Sequence, residues 1–424
     1  MGYQHSRIKN TQRVIYILYS NGSLLYKDKH SFQFYYYHNE EKKMDRRDFI
    51  DTSIKALSLT AIANLNPFGI GSAFAQEEKP WSQETFNFPL GDFKLHNGEV
   101  LKDAYLLVDI QGTLNSAKDN AIIFPTCFTG SHNFNSMAYG VGRALDPTQY
   151  AIITACQISS GHSSSPSNHS NDQGAANFPA IHYYDDINAQ NKLITEYFGI
   201  NNPLLYFGFS MGAQQAFHWG ALHGSKTGGI VPLCGTAKTT TQNWMALEGC
   251  VNALELDPAF NGGAYTDAPT QGINAFAQNY ISQYCADVYY KEGLHLKTFG
   301  EHKDLQAYRE FFNGYFNSLD ANDLLSMVKK WQAGDPGNHS QFGGDWKKAL
   351  ANIKCPALVM PSTTDICFPP RDNVPEVAEM PDAKLIPIES DYGHLVGCMT
   401  ELAGSKEDIK FIDDQLKAFL KKIG

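Results

Sequence analysis

The sequence predicts an α/β fold: a mostly parallel central sheet flanked by helices, with a helical lid inserted before its last strands. Three observations predict it. Short continuous apolar runs recur between helical or Gly/Pro-rich stretches, the rhythm changes to long helical patterns between Thr236 and Lys354, and a helical pattern near Lys406–Lys422 closes the chain. Continuous apolarity, unlike alternation, marks strands buried on both faces, as in a sheet covered by helices. The composition, 43% hydrophobic, 12% aromatic and 18% charged over 424 residues, can bury a sizeable core and excludes wholesale disorder.

Taken in chain order, residues 1–43 show no sustained helical or strand period and are read as an extension outside the fold, either non-native or disordered. From Met44 the chain reads Met-Asp-Arg-Arg-Asp-Phe-Ile, then a mild apolar stretch over Ala56–Leu65, then Ala73-Phe74-Ala75 before Gln76. Residues 44–75 therefore resemble a twin-arginine export signal with a small-x-small cleavage site. The apolar stretch is too short for a stable membrane span, which needs about 20 residues. The expectation is a periplasmic or secreted protein that starts near Gln76; the alternative is an N-terminal amphipathic helix on a cytoplasmic protein.

The net charge is −10, and the clustered cations lie near the N-terminus. Such a chain offers no basic field for nucleic acid. Eight cysteines (127, 156, 234, 250, 285, 355, 367 and 398) form no CxxC pair and are too sparse for a disulfide scaffold. They are expected to be mostly packed thiols.

The first part of the core, residues 76–235, holds strand runs at Ala104–Ile110, Ala121–Pro125, Tyr150–Cys156, Leu204–Phe209 and Gly229–Cys234. The Ser/His/Asn-rich segment Ser159–Gly174 reads either as a floppy surface loop or as an active-site rim. Residues 236–354 form the lid, with helical patterns over Gly272–Tyr290 and Asp304–Ala333. Residues 355–424 return to the sheet with Ala357–Pro361 and Leu385–Ile388 and end in the terminal helix.

One constellation carries chemistry. Leu204–Phe209 is an apolar strand that runs into Gly208-Phe209-Ser210-Met211-Gly212, and Ala213–Trp219 continues as a helix. A serine at a sharp strand-to-helix turn has crowded backbone on both sides, so the small Gly208 and Gly212 let its Oγ project toward substrate. Serine at its ordinary pKa is a poor nucleophile, so the motif predicts a base and a carboxylate downstream, in the order Ser, Asp, His. Asp365 follows the run Ala357–Pro361 at the C-terminal edge of a strand, where α/β sheets place their sites. Asp372 is the rival carboxylate, beyond Pro369-Pro370. His394, in Ser390-Asp391-Tyr392-Gly393-His394 just past the last strand run, matches a general base.

Two backbone N–H groups, of Met211 and of Phe128 in the loop after Ala121–Pro125, are the expected oxyanion donors. Cys127, Cys367 and Cys398 fall close in sequence to these residues and read as small packed hydrophobes or as a thiol-lined pocket. No phosphate loop, zinc helix or complete dinucleotide fingerprint is present, so no cofactor or metal is called for. The expected partner is a small-molecule acyl substrate; a homodimer is possible.

Several of these segments together resemble the α/β-hydrolase superfamily, and within it the homoserine O-acetyltransferase family with its hydrolase-like relatives, over about residues 90–420. Asn120–Phe124 with Phe128-Thr129-Gly130 looks like that family's oxyanion segment. Gly142–Asp146 followed by Tyr150 resembles its step into the next strand, and Gly208–Ala216 its nucleophile elbow. The resemblance implies that Ser210 is acylated, Asp365 orients His394, and Phe128 and Met211 supply the oxyanion amides.

One departure bears on substrate. The family's acetyltransferases usually place an arginine in the helix after the elbow, and Phe217–Ser225 contains none. Ser160–Asn168 looks instead like the loop of the hydrolase-like branch. Acyl-CoA thioesters are cytoplasmic, whereas an exported enzyme meets mostly water. The leading expectation is therefore a serine ester or amide hydrolase working through an acyl-enzyme. An O-acyltransferase with the same triad is the alternative, and a non-catalytic binding scaffold is disfavoured because no triad member is missing.

Overall fold

The computed structural model describes residues 7–10, 13–20, 23–27, 35–36, 79–169 and 171–424. They fall in two units, Met1–Ser72 and Ala73–Gly424. The first unit holds four short antiparallel strands, Arg7–Asn10, Arg13–Ser20, Ser23–Lys27 and Tyr35–Tyr36. The export signal expected over 44–75 lies outside the described residues.

The second unit is built on an eight-stranded sheet. Its strands are β1 (Gln83–Lys94), β2 (Val100–Gln111), β3 (Ala121–Ile123), β4 (Ala151–Ala155), β5 (Leu205–Phe209), β6 (Ile230–Leu233), β7 (Ala357–Val359) and β8 (Ala383–Leu385). Their spatial order is β8-β7-β6-β5-β3-β4-β2-β1. β2 runs antiparallel to β1 and β4, and every other pairing is parallel. Every residue of β3 to β7 is buried. Helices cover both faces, so these strands need apolar side chains on each side.

β1 was not among the expected strands. Its sequence, Gln-Glu-Thr-Phe-Asn-Phe-Pro-Leu-Gly-Asp-Phe-Lys, is polar in alternation and interrupted by Pro89 and Gly91, where the pairing with β2 shifts register. Those features fit a sheet edge, where proline and bulges are tolerated. β8 ends at Leu385, earlier than its apolar run, although Ile386 and Ile388 still donate to Val359 and Pro361.

The segment between β6 and β7 is helical, as expected. It contains α3 (Thr241–Glu255), α4 (Thr270–Ile281), α5 (Leu305–Asn317) and α6 (Ala321–Gln332), with shorter turns between them. Two expected helices are broken. Gly272–Tyr290 stops at Ile281, and Asp304–Ala333 divides before Asp320, whose carboxylate accepts from the Asn322 and Asp323 amides and caps α6. In the core, α1 is Tyr183–Lys192 and α2 Met211–His223; α7 is Pro370–Ala378 and α8 Lys406–Ile423. Among the described residues no helix is long and apolar enough to cross a membrane.

The serine-rich segment is not a floppy surface loop over Ser159–Ser165. Ser159, Ser160, Ser163, Ser164 and Ser165 are buried. Ser164 Oγ accepts from Tyr105 N–H (3.0 Å), and Ser163 Oγ accepts from Leu107 N–H (3.0 Å). The hydroxyls thereby satisfy β2 where β4 has ended. The same segment meets α6: Ser167 N–H donates to Asp323 (2.9 Å), and Ser326 bonds Ser159 (2.9 Å). A buried ion pair completes the attachment, with Lys330 Nζ of α6 2.7 Å from Asp186 Oδ2 of α1.

Candidate active site

Ser210 stands between β5 and α2 at φ 59°, ψ −122°, a conformation that a side chain rarely adopts. The turn is possible because its flanks are glycine. A Cβ on Gly208 would lie 2.0 Å from the Gly212 carbonyl oxygen, and one on Gly212 would lie 3.2 Å from the Pro125 oxygen. The β3–helix loop therefore packs directly on the first turn of α2. Met211 opens that helix, so its N–H has no intrahelical acceptor. Phe128 lies in the same loop, just before Thr129 at φ 56° and beside a turn in which Gly130 N–H donates to the Cys127 carbonyl.

The three residues expected as a triad come together. His394 Nε2 is 2.9 Å from Ser210 Oγ, and His394 Nδ1 is 2.8 Å from Asp365 Oδ2. Asp365 Oδ1 accepts from the Cys367 and Phe368 amides at 2.8 and 2.9 Å. The carboxylate is thus held from both sides and aimed at the imidazole. Asp372 instead sits in the first turn of α7, near Arg371. With Asp365 as the Nδ1 partner, Nε2 is free to accept from the serine hydroxyl.

Residues of the helical insertion complete the site, and sequence reasoning missed them. The His394 N–H donates to the Tyr284 carbonyl (2.9 Å), Cys285 pairs with Asp365 in an antiparallel bridge, and Ala286 N–H donates to Thr364. Gly393, at φ 53°, has no room for a Cβ, which would stand 2.7 Å from the Tyr284 oxygen. The Tyr284 ring stacks on His394 (5.9 Å, 7°), with Phe209 and Phe368 on its other sides at 4.9 and 5.4 Å. Nothing in the local sequence of 282–286 distinguishes it from any other helix-breaking turn; its role arises from where the insertion lands.

The chamber is closed. Ser210 and His394 are each 2% exposed and Asp365 1%. Phe128 faces Tyr280 (4.8 Å), Trp331 (5.8 Å) and Phe276 (6.3 Å), so the expected oxyanion loop is roofed by rings from α4 and α6. All eight cysteines are buried and unpaired. Burial pushes the Cys127 thiol up to about 12 and those of Cys367 and Cys398 well above their ordinary value. They are packed thiols, not nucleophiles. The arrangement as a whole is a hydroxyl, an imidazole and a carboxylate in one hydrogen-bonded line, in a closed space. Its chemical capacity is acyl transfer through serine.

Comparison with known proteins identifies the fold family. Residues 120–397 match the family described as alpha/beta hydrolase fold. An ethyl acetate hydrolase of Pseudomonas veronii is 34% identical over 327 residues, 76% of this chain and 92% of that protein. A homoserine O-acetyltransferase of Trichormus variabilis is 28% identical over 73% of this chain and 88% of its own. Among solved structures, the acetyl esterase MekB superposes with a TM-score of 0.75 at 32% identity, covering 80% of this chain and 97% of its own. The chain belongs to the α/β-hydrolase fold family, in the group whose members are esterases and homoserine acyltransferases.

Proposed function

We propose that this enzyme is a serine carboxylester hydrolase acting on acetyl and other short acyl esters, with Ser210 as nucleophile, His394 as general base and acid, and Asp365 as the residue that orients the histidine. The observation that carries the reading is the continuous line Ser210 Oγ, His394 Nε2, His394 Nδ1, Asp365 Oδ2. His394 Nε2 takes the serine proton as Oγ bonds to the acyl carbon. The Phe128 and Met211 N–H groups hold the resulting oxyanion, each donor contributing on the order of 3 kcal/mol. The intermediate collapses as His394 returns the proton to the departing alcohol, leaving an acyl-enzyme. A water molecule then attacks that ester, again deprotonated by His394, and the acid leaves. The acetyl preference is supported by the named activities of the ethyl acetate hydrolase and acetyl esterase relatives.

Because the serine is almost wholly covered, substrate entry requires movement of the α3–α6 insertion, which we assign the role of lid. Export through the signal at 44–75 belongs to the same reading, since it brings the enzyme to esters and away from acyl-CoA. Acyl transfer to an alcohol is the second reading, favoured by the closed chamber and by the homoserine acyltransferase relatives.

The test is intact mass after brief exposure to a fluorophosphonate, followed by turnover of ethyl acetate with and without acetyl-CoA and homoserine. One adduct on the wild type, absent in Ser210→Ala and strongly slowed in His394→Ala, is the expected result, with ethyl acetate hydrolysed. An unlabelled wild type overturns the triad assignment; acetylation of homoserine faster than ester hydrolysis overturns the hydrolase reading in favour of the transferase.

A further inference from the structure

The outgoing and returning limbs of the insertion meet beside the helix that carries the nucleophile. Thr239, on the outgoing limb, donates from its hydroxyl to the Trp331 carbonyl (2.5 Å), and its N–H donates to the Gly334 carbonyl (2.8 Å) on the return limb. The same hydroxyl accepts from Gln214 Nε2 (3.1 Å), and Gln214 Oε1 accepts from the Tyr183 hydroxyl (2.7 Å). Donation therefore runs one way, from Tyr183 of α1 through Gln214 of α2 and Thr239 to Trp331 of α6, and all four residues are buried. The groups converge on Gly334, where an added Cβ would lie 2.8 Å from Gln214 Nε2, 2.9 Å from Thr239 Oγ1 and 3.0 Å from the Trp331 oxygen.

Each end of this chain of bonds reaches the reaction. Gln214 lies about one helical turn beyond Ser210, in α2. Trp331 touches both halves of the site. Its ring faces Phe128 of the expected oxyanion loop (5.8 Å) and stacks on Phe368 (5.3 Å, 16°). The Phe368 N–H in turn holds Asp365 (2.9 Å), and its ring lies against His394 (5.4 Å). Trp331 stands in the last turn of α6, where carbonyls lack intrahelical donors, and the Thr239 hydroxyl supplies one from the other limb.

We propose that Thr239 is a positioning residue for acyl transfer: by tying Trp331 to the nucleophile helix it sets the distance between the roof of the chamber and Ser210, and with it the placing of the oxyanion loop and of the Asp365–His394 pair. It acts through Trp331 and takes no part in proton or acyl transfer. A displacement of about 1 Å in such a support can lower a rate by about 100-fold. The inference rests on the esterase reading above and adds to it a residue from outside the triad.

The test is steady-state hydrolysis of ethyl acetate. Thr239→Val keeps the shape of the side chain and removes the hydroxyl, Thr239→Ser keeps the hydroxyl, and Gln214→Met keeps the length of the side chain and cuts the tie to α2. Thr239→Val is expected to lose at least about 10-fold in kcat with KM within about 3-fold of wild type, and Thr239→Ser to stay within about 3-fold of wild type in kcat. Gln214→Met is expected to lose at least about 3-fold in kcat, and the double variant no more than Thr239→Val alone, since both act through one bond. Wild-type kcat in Thr239→Val overturns the proposal, as do a loss carried by KM, an equal loss in Thr239→Ser, and losses that multiply in the double variant. If Thr239→Val shows no folded transition, Gln214→Met decides: a loss in kcat supports the proposal and wild-type kcat overturns it. A wild type that takes up fluorophosphonate without hydrolysing ethyl acetate refutes the esterase reading and this inference with it, a failure visible before any variant is compared.

Discussion

Replacing Lys330 with methionine tests whether the insertion is bound to the core as described. The ammonium is completely buried, 2.7 Å from Asp186 Oδ2 and 2.9 Å from the Ile158 carbonyl. Methionine fills a similar volume but donates nothing, so Asp186 keeps only the Ile158 N–H (2.8 Å) and the Ile158 carbonyl loses its side-chain donor. Breaking one side of a buried pair typically costs about 3–5 kcal/mol, because the remaining charge is stranded. That is a large share of a stability of about 5–15 kcal/mol. Burial already raises the Asp186 carboxyl, with Lys330 opposing it, so in the variant the acid is raised further and takes up a proton in the folded state. A folded-state pKa above the unfolded one means stability is greatest at low pH and falls as pH rises. The deficit of Lys330→Met should therefore widen from about pH 4 upward. Urea unfolding at pH 5 and pH 8 measures it, provided that the transition is two-state. A loss under about 1 kcal/mol at pH 8 would refute the reasoning, since a desolvated pair cannot be severed so cheaply.

Gly208→Ala is expected to destabilise by about 3 kcal/mol or more and to suppress fluorophosphonate labelling, because its Cβ meets the backbone oxygen of Gly212 at 2.0 Å; a variant with the wild-type Tm would contradict the contact. Burial raises Asp323 from the usual carboxylate range to about 7, so the folded state holds its proton more tightly than the unfolded chain, and this contribution to stability is full below about pH 4 and lost as pH rises to 7. Asp323→Asn should then lose less Tm than wild type between pH 4.5 and 7.5; parallel Tm profiles would show that the carboxyl does not titrate there.

Much of the scaffold was legible because its causes are local. Five buried strands announce themselves as apolar runs, since each must be apolar on two faces. The elbow is a contiguous motif, and the contact that demands Gly208 comes from Gly212, four residues away. Asp365 and His394 could be picked out by chain order and by their positions just beyond strand runs, and Gly393 beside the histidine has a close-packed backbone as its reason. Local pattern failed where long-range pairing decides the outcome. β1 is too polar to read as a strand until β2 is there to pair with it, and the helical stretch at 304–333 is cut because Asp320 caps backbone more strongly than it continues a helix.

The sequence by itself determined the α/β class, the strand-to-helix turn at Ser210 and the partners that serine requires, because strand burial and turn geometry are properties of neighbouring residues. Only the tertiary structure decided that Tyr284 and Cys285 of the insertion hold His394 and Asp365, that the serine-rich segment finishes the hydrogen bonding of β2, and that Lys330 meets Asp186. These contacts join residues about 60 to 150 positions apart, and spacing along the chain carries no record of which surfaces meet when the insertion folds back over the sheet.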